Sequence, residues 1–161
     1  MSYPPKCSAL IATALLPVML TSCLSKLESI TTLQKPFTLG VTIRNESNAN
    51  SPIAFDLVEV NDKDLVKELS QMTAADWFQK RGQIERDFPK ESSLNVKEWE
   101  WVPGQVIRNI SLPMSNPPKA LLAFANYNSP GSHRAKLDPK SPVMITFDRN
   151  DFLLSPLEKA H

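Results

Sequence analysis

The hydrophobic period of this 161-residue chain changes twice, and that double change constrains the fold more than any other feature. Phe37, Leu39, Val41 and Ile43 alternate with Thr38, Gly40, Thr42 and Arg44, the two-residue period of a half-buried strand. Ile53, Phe55 and Leu57 continue on one face of a second strand, with Val58 and Val60 on the other and Glu59 expected in solvent. Then Leu65, Val66, Leu69 and Met72 recur at helical spacing, with Asp62 or Asn61 available as N-cap. Thr73-Ala74-Ala75-Asp76 has the form of a capping box and opens a second helix carrying Trp77, Phe78, Ile84 and Phe88, which Pro89 ends. Gly82 weakens that helix by about 1 kcal/mol relative to Ala and allows a bend. From residue 94 onward the two-residue period returns.

The second set of strands begins with Leu94–Val102, where Trp99 and Trp101 share a face with Asn95 and Lys97. Pro103-Gly104 signals a turn, so Gln105–Leu112 is expected to run back as a hairpin partner. Ala120–Tyr127 is almost wholly apolar, the pattern of a central strand covered on both faces. Beyond Ser129-Pro130-Gly131 and Asp138-Pro139 comes a last strand at Val143–Arg149, resuming at Phe152–Leu154. Between the first two strands, Asn45-Glu46-Ser47-Asn48-Ala49-Asn50-Ser51-Pro52 is a polar loop, expected to project from an antiparallel pair. The whole predicts a mainly β protein, a sandwich of six to seven strands with a two-helix insertion at about 62–89.

The N-terminus reads as an export signal. One positive charge, Lys6, precedes the 13-residue apolar run Ser8–Leu20, too short to span a membrane and interrupted by Pro17. Leu20-Thr21-Ser22-Cys23 follows and resembles a bacterial lipobox, in which the cysteine is lipidated and the chain cut before it. The expected organisation is a leader over 1–22, lipidated Cys23 with a tether over 23–35, a domain over 36–155 and a flexible tail over 156–161. Removing the leader takes away only Lys6 and leaves 17 charges of each sign. A neutral chain lacks the basic footprint of a nucleic-acid binder or of polybasic membrane adhesion. With Cys7 in the leader and Cys23 acylated, no disulfide can form in the remainder.

These features together resemble the TssJ lipoproteins of type VI secretion systems. The likeness rests on the lipobox, Phe55-Asp56-Leu57-Val58 ahead of the helices, Trp77-Phe78 within them and Val102-Pro103-Gly104-Gln105 at the turn. Leu122-Ala123-Phe124-Ala125-Asn126-Tyr127 and Met144-Ile145-Thr146-Phe147 add to it. The resemblance implies a transthyretin-like sandwich under the outer membrane, anchored by its lipid to the inner leaflet and facing the periplasm. Leu24 after the cysteine fits export to that membrane. It also implies a scaffold role, holding the periplasmic domain of the inner-membrane subunit TssM. The loop Asn45, Glu46, Ser47, Asn48, Ala49, Asn50 and Ser51 would then be the partner contact, although it lacks the aromatic anchors typical of hot spots.

Catalytic chemistry is hard to find. His161 ends the chain, and His133 in a polar loop is expected to be solvated. Asp62/Asp64 and Glu98/Glu100 have Lys63, Lys67 and Lys97 beside them and offer no raised-pKa site. Four glycines in the chain leave no phosphate loop. No enzyme activity, cofactor, metal or small-molecule substrate is expected. Two other roles stay open: a pilotin for a secretin, and a carrier holding a hydrophobic ligand against Leu65, Leu69, Trp77 and Phe78.

Overall fold

Two four-stranded sheets face each other, and two helices cover the outer face of one of them. The computed structural model describes residues 35–88, 92–114 and 118–157; the leader, Cys23, the tether through residue 34, Pro89 and the last four residues lie outside the described residues. The strands are β1 (Phe37–Ile43), β2 (Ile53–Val60), β3 (Leu94–Trp101), β4 (Ile110–Leu112), β5 (Ala120–Ala125), β6 (Arg134–Leu137), β7 (Val143–Phe147) and β8 (Phe152–Pro156). The helices α1 (Lys63–Leu69) and α2 (Ala74–Asp87) lie between β2 and β3, as their period requires. One sheet has the order β4-β1-β7-β8 and the other β3-β2-β5-β6. The expected mainly β sandwich with a two-helix insertion is therefore present, with eight described strands instead of six or seven. The extra strand is β6, four residues too short to register as a period.

Pairing differs from the sequence expectation in two places, for one reason. β1 and β2 are not an antiparallel pair: β1 lies between β4 and β7, running parallel to β7, while β2 lies between β3 and β5. Each strand has an apolar row (Phe37, Leu39, Val41, Ile43 and Ile53, Phe55, Leu57), and placing the strands in opposite sheets buries both rows against each other. The same holds after Trp101. The Pro103-Gly104 turn forms, with Gln105 N–H donating to Val102 O at 3.1 Å, but the chain crosses to the other sheet. There Ile110–Leu112 pairs with β1, so β3 and residues 105–112 form no hairpin.

β5 joins two cores. Leu121, Ala123 and Ala125 point into the sandwich with Phe55, Trp101 and Phe147, while Leu122 and Phe124 point to the helices with Val58, Leu65, Leu69 and Trp77. Trp77 stacks on Phe124 at 5.1 Å between ring centroids, and Trp99 and Trp101 stack beside Phe55 as sheet packing. Leu65, Leu69 and Trp77 are fully packed and Phe78 lies under Arg81, so these side chains themselves fill the helix–sheet space that a carried ligand would occupy. Asp62 caps α1, and Thr73 with Asp76 forms the expected capping box. α2 runs as one continuous helix through Gly82.

Two acidic side chains depart from expectation. Glu59 is buried, not solvated, because β2 is flanked on both sides and covered on both faces; Lys97 on β3 pairs with it at 2.8 Å. Asp56, quoted in the sequence only as part of the Phe55–Val58 likeness, is buried beneath α2. Its Oδ2 accepts from Trp77 Nε1 and from Arg81 Nη1, each at 2.8 Å, and Arg81 also reaches Glu98 at 2.8 Å. Burial raises the Asp56 pKa, against the lowering by those two donors. At the other end of the chain, β8 runs to Pro156, one residue into the expected tail.

Candidate partner interface

Strand directions place the polar loop at one pole of the sandwich and the entry of the chain at the other. β1 starts at Phe37 beside Leu112 and ends at Ile43 beside Phe147. The segment after Ile43 therefore shares its pole with three other connections, 102–109 between β3 and β4, 126–133 between β5 and β6, and 148–151 between β7 and β8.

The loop at this pole is anchored, not projecting. Residues Ser47–Asn50 form a single turn in which Asn48, Ala49 and Asn50 take φ values of 47°, 51° and 64°. Left-handed backbone is tolerated by asparagine and strained for alanine. Ser47 and Asn48 are buried. Ser47 Oγ donates to Phe147 O at 2.7 Å, Asn48 Nδ2 donates to Pro52 O at 2.9 Å, and Asn48 Oδ1 accepts from Asn128 N at 2.7 Å. Of the seven residues expected at the contact, these two hold the loop in place. Asn45, Ala49 and Asn50 are exposed, and Glu46 and Ser51 partly so. Cys23, the other expected site residue, is outside the described residues.

Three of these loops are tied to each other. Arg44 pairs with Asp148 at 2.9 Å, and Ser129 Oγ donates to Asn150 O at 2.6 Å. His133 is buried here, contrary to the solvated position expected for it. Its Nδ1 lies 3.0 Å from Asp151 Oδ1 and its Nε2 2.8 Å from Ser129 O, while its ring packs on Tyr127. A loop histidine with acceptors on both sides is removed from water by the loop's own closure, and Gly131 passes so near that a Cβ there would meet the ring at 2.6 Å. Burial pushes the Tyr127 hydroxyl far above its usual range. His133 also has a left-handed φ of 41°, and Gly104, at 74°, lies under Asn45 Oδ1 at the same pole. All five positive-φ residues among the described residues are thus gathered at one end. Of these five, Ala49 and His133 take that conformation without the tolerance of asparagine or glycine.

The sequence marks the Ser129-Pro130-Gly131 loop and the break before Phe152 but gives no sign that either meets the 45–51 loop; Asn45, Asn48, Asn50, Asn126, Asn128 and Asn150 all lie at this pole. Beside Asn45 a groove of about 470 Å³ runs between the end of β1 and residues Gly104–Ile107. Val106 stands on its rim, 92% exposed. Among the described residues, no group of three or more His, Cys, Asp or Glu is placed to hold a metal, and no helix is long and apolar enough to cross a membrane.

The architecture of the described residues defines the class: an eight-stranded, two-sheet sandwich with one helix-covered face and a polar loop pole. More particularly, the chain has a TssJ-like fold. It superposes on a chain of a structure titled "Type VI membrane complex" with a TM-score of 0.57 and 16% identity, covering 76% of this chain and 98% of that one. The lipoprotein TssJ1 of the type VI secretion system from Pseudomonas aeruginosa gives 0.55 at 15% identity, covering 78% and 99%. A chain of a structure titled "T6SS protein TssM C-terminal domain (869-1107) from EAEC" gives 0.53 at 16% identity, covering 76% and 99%. No protein-family model and no curated protein sequence matches the chain.

Proposed function

We propose that this protein is a lipid-anchored scaffold of a type VI secretion membrane complex, with no enzymatic activity of its own. Cys23 carries the lipid, the anchor sits in the inner leaflet of the outer membrane, and the domain faces the periplasm. There the pole bearing Asn45–Ser51 holds the periplasmic domain of a TssM-like inner-membrane subunit. The observation that carries this reading is the TssJ-like fold, which spans nearly the whole of each similar chain. The export leader ending at Leu20-Thr21-Ser22-Cys23 supports it from the sequence side.

The test is co-purification from the native membrane, comparing wild type with Cys23→Ser. Wild type should float with outer membranes and bring down a TssM-like subunit, and its N-terminal peptide should carry acyl mass. The Cys23→Ser protein should lose the acyl mass and leave the outer-membrane fraction. Retention of that variant at wild-type levels would refute the anchor, and recovery of a secretin in place of the TssM-like subunit would favour a pilotin.

A further inference from the structure

We propose that the pole from which the chain leaves toward Cys23 is a membrane-docking face, which sets lysines and apolar grooves on the anionic phospholipid surface that holds the anchor. This rests on the reading of Cys23 as the lipid site. Strand directions gather here the start of β1, the 61–62, 113–119 and 138–142 connections and the end of β8. Lys35, where the described residues begin, follows Cys23 by 12 residues. A link of that length reaches at most roughly 40 Å. Of the two poles, this one is therefore held nearer the bilayer.

Charge is segregated although the chain beyond the leader is neutral overall. Lys35, Lys119 and Lys140 are exposed on the connections at this pole, and Lys136 is exposed beside them near the end of β6. The carboxylates on the same described connections are Asp62 and Asp138, and both are turned back on the protein's own donors. Asp62 Oδ1 accepts from the Asp64 and Leu65 N–H groups at 2.9 Å. Asp138 accepts from the Lys140 N–H at 3.0 Å and from Ser141 Oγ at 2.7 Å. The three loops tied together at the opposite pole have the reverse balance, with Glu46, Asp148 and Asp151 against Arg44 and Arg149. An anionic surface therefore attracts the pole near the anchor and repels the other.

Between the lysines the surface is apolar. A groove of about 270 Å³ is lined by Phe37, Met114, Pro139 and Pro142, with Lys35 and Lys140 beside them. A second, of about 420 Å³, runs from Lys136 past Pro142 to Leu154 and Pro156. Pro36, Pro113, Pro142 and Pro156 are exposed at this pole. Proline has no N–H to strand when water is pressed out, and an unpaired donor against lipid is costly. Lysine stems lie along such a surface while their ammonium groups reach phosphate. Another protein would have to arrive from solution to cover these grooves. The bilayer is already held there by the anchor, at an effective concentration of about millimolar, and its phosphates match the lysines.

The experiment places the full-length protein, as isolated from its membrane, in vesicles of phosphatidylcholine alone or with about 30% phosphatidylglycerol, and reads amide hydrogen exchange. In anionic vesicles the amides of Lys119 and Asp138–Ser141 should exchange about fivefold more slowly than in neutral ones, while those of Ser47–Asn50 stay unchanged. The difference should vanish between about 50 and about 500 mM salt. Lys35→Glu/Lys140→Glu should abolish the protection while the protein still floats with the vesicles and melts as wild type. If it melts lower, Lys35→Gln/Lys140→Gln replaces it, with at least about half of the protection lost. Pro142→Asp, at the border of the two grooves, should also remove protection at low salt; if only the lysine variants act, the apolar part of the proposal is overturned. Equal exchange in neutral and anionic vesicles overturns docking and leaves the anchor reading intact. Protection that persists in detergent would mean that residues 24–34 cover the grooves, and protection that rises with protein density a second copy; either overturns the lipid assignment. If the protein fails to float with neutral vesicles, the anchor reading falls. Docking is then judged by sedimentation with anionic vesicles, where Lys35→Glu/Lys140→Glu should bind about thirtyfold more weakly and equal binding overturns it.

Discussion

Replacing Asn48 by alanine should destabilise the domain by about 3 kcal/mol, although it deletes only a carboxamide from a loop. Two hydrogen bonds disappear, one from Asn128 N–H at 2.7 Å and one to Pro52 O at 2.9 Å. Each contributes roughly 1 kcal/mol, and the lower figure applies because Asn128 and Pro52 are exposed enough to recruit water. The third contribution is conformational: φ 47° and ψ 40° suit asparagine and cost alanine about 1 kcal/mol or more. Asn48→Gly separates the two effects, since glycine loses the bonds but takes the left-handed turn without strain. From the lost bonds it should cost about 2 kcal/mol. For a domain of roughly 120 residues, 3 kcal/mol lowers the melting temperature by about 10–12 °C. Urea denaturation with an unchanged m-value would give the free energies directly. An alanine variant within about 0.5 kcal/mol of wild type would refute the anchored loop, and equal losses for alanine and glycine would refute the strain argument.

Ala49→Gly acts in the opposite sense, because φ 51° is strained for alanine; a gain of up to about 1 kcal/mol is expected in urea melts, and a clear loss would contradict the assigned backbone. Asp56→Asn tests the buried carboxylate through pH. Since burial raises the folded pKa above the ordinary 3.8, the folded state holds this proton more tightly, and the site's contribution is full below pH 3.8 and is lost as pH rises through the folded value. Wild type should therefore gain stability relative to the Asp56→Asn variant as pH falls from about 7 to about 4; the reverse trend would show the Arg81 and Trp77 bonds outweighing burial. Trp77→Ala should cost about 3–5 kcal/mol, from the cavity against Phe124 and the lost donor to Asp56. A loss under about 1.5 kcal/mol by chemical denaturation would mean that the helices pack loosely on the sheet.

What is legible in the sequence is whatever a single strand or helix decides alone. The alternation of Phe37–Ile43, the two-faced apolarity of Ala120–Ala125 and the Thr73–Asp76 box are local facts, and each becomes the element expected. Pairing is not legible, because the row Ile53, Phe55, Leu57 is equally satisfied beside β1 or opposite it, and only the whole sandwich chooses. The same limit hides the pole. Nothing local in Asn48 says that its amide will meet Asn128, 80 positions on, or that His133 will close over Ser129 and lose its water. Glu59 looks solvated from its own strand because its lysine stands on the neighbouring one. The 45–51 loop comes from the family likeness, and its two inward residues can be recognised only from their partners.

The central place of β1 has a mechanical consequence. This strand follows directly on the upstream chain at Lys35 and leads directly into the turn at Asn45, and in between it spans seven residues, roughly 23 Å. It is held on one side by β4 over three register positions and on the other by β7 over five. Tension applied between the upstream chain and the turn therefore travels along one covalent backbone from end to end. Neighbouring strands are loaded only in shear, with all ladder bonds resisting at once, instead of being peeled apart bond by bond. A tug on the 126–133 or 148–151 loops instead enters β5 and β7, and reaches β1 through β7 alone within its sheet. A pull shared among the loops of this pole would spread over both sheets, and the domain would act as a stiff link in series with whatever holds its N-terminus.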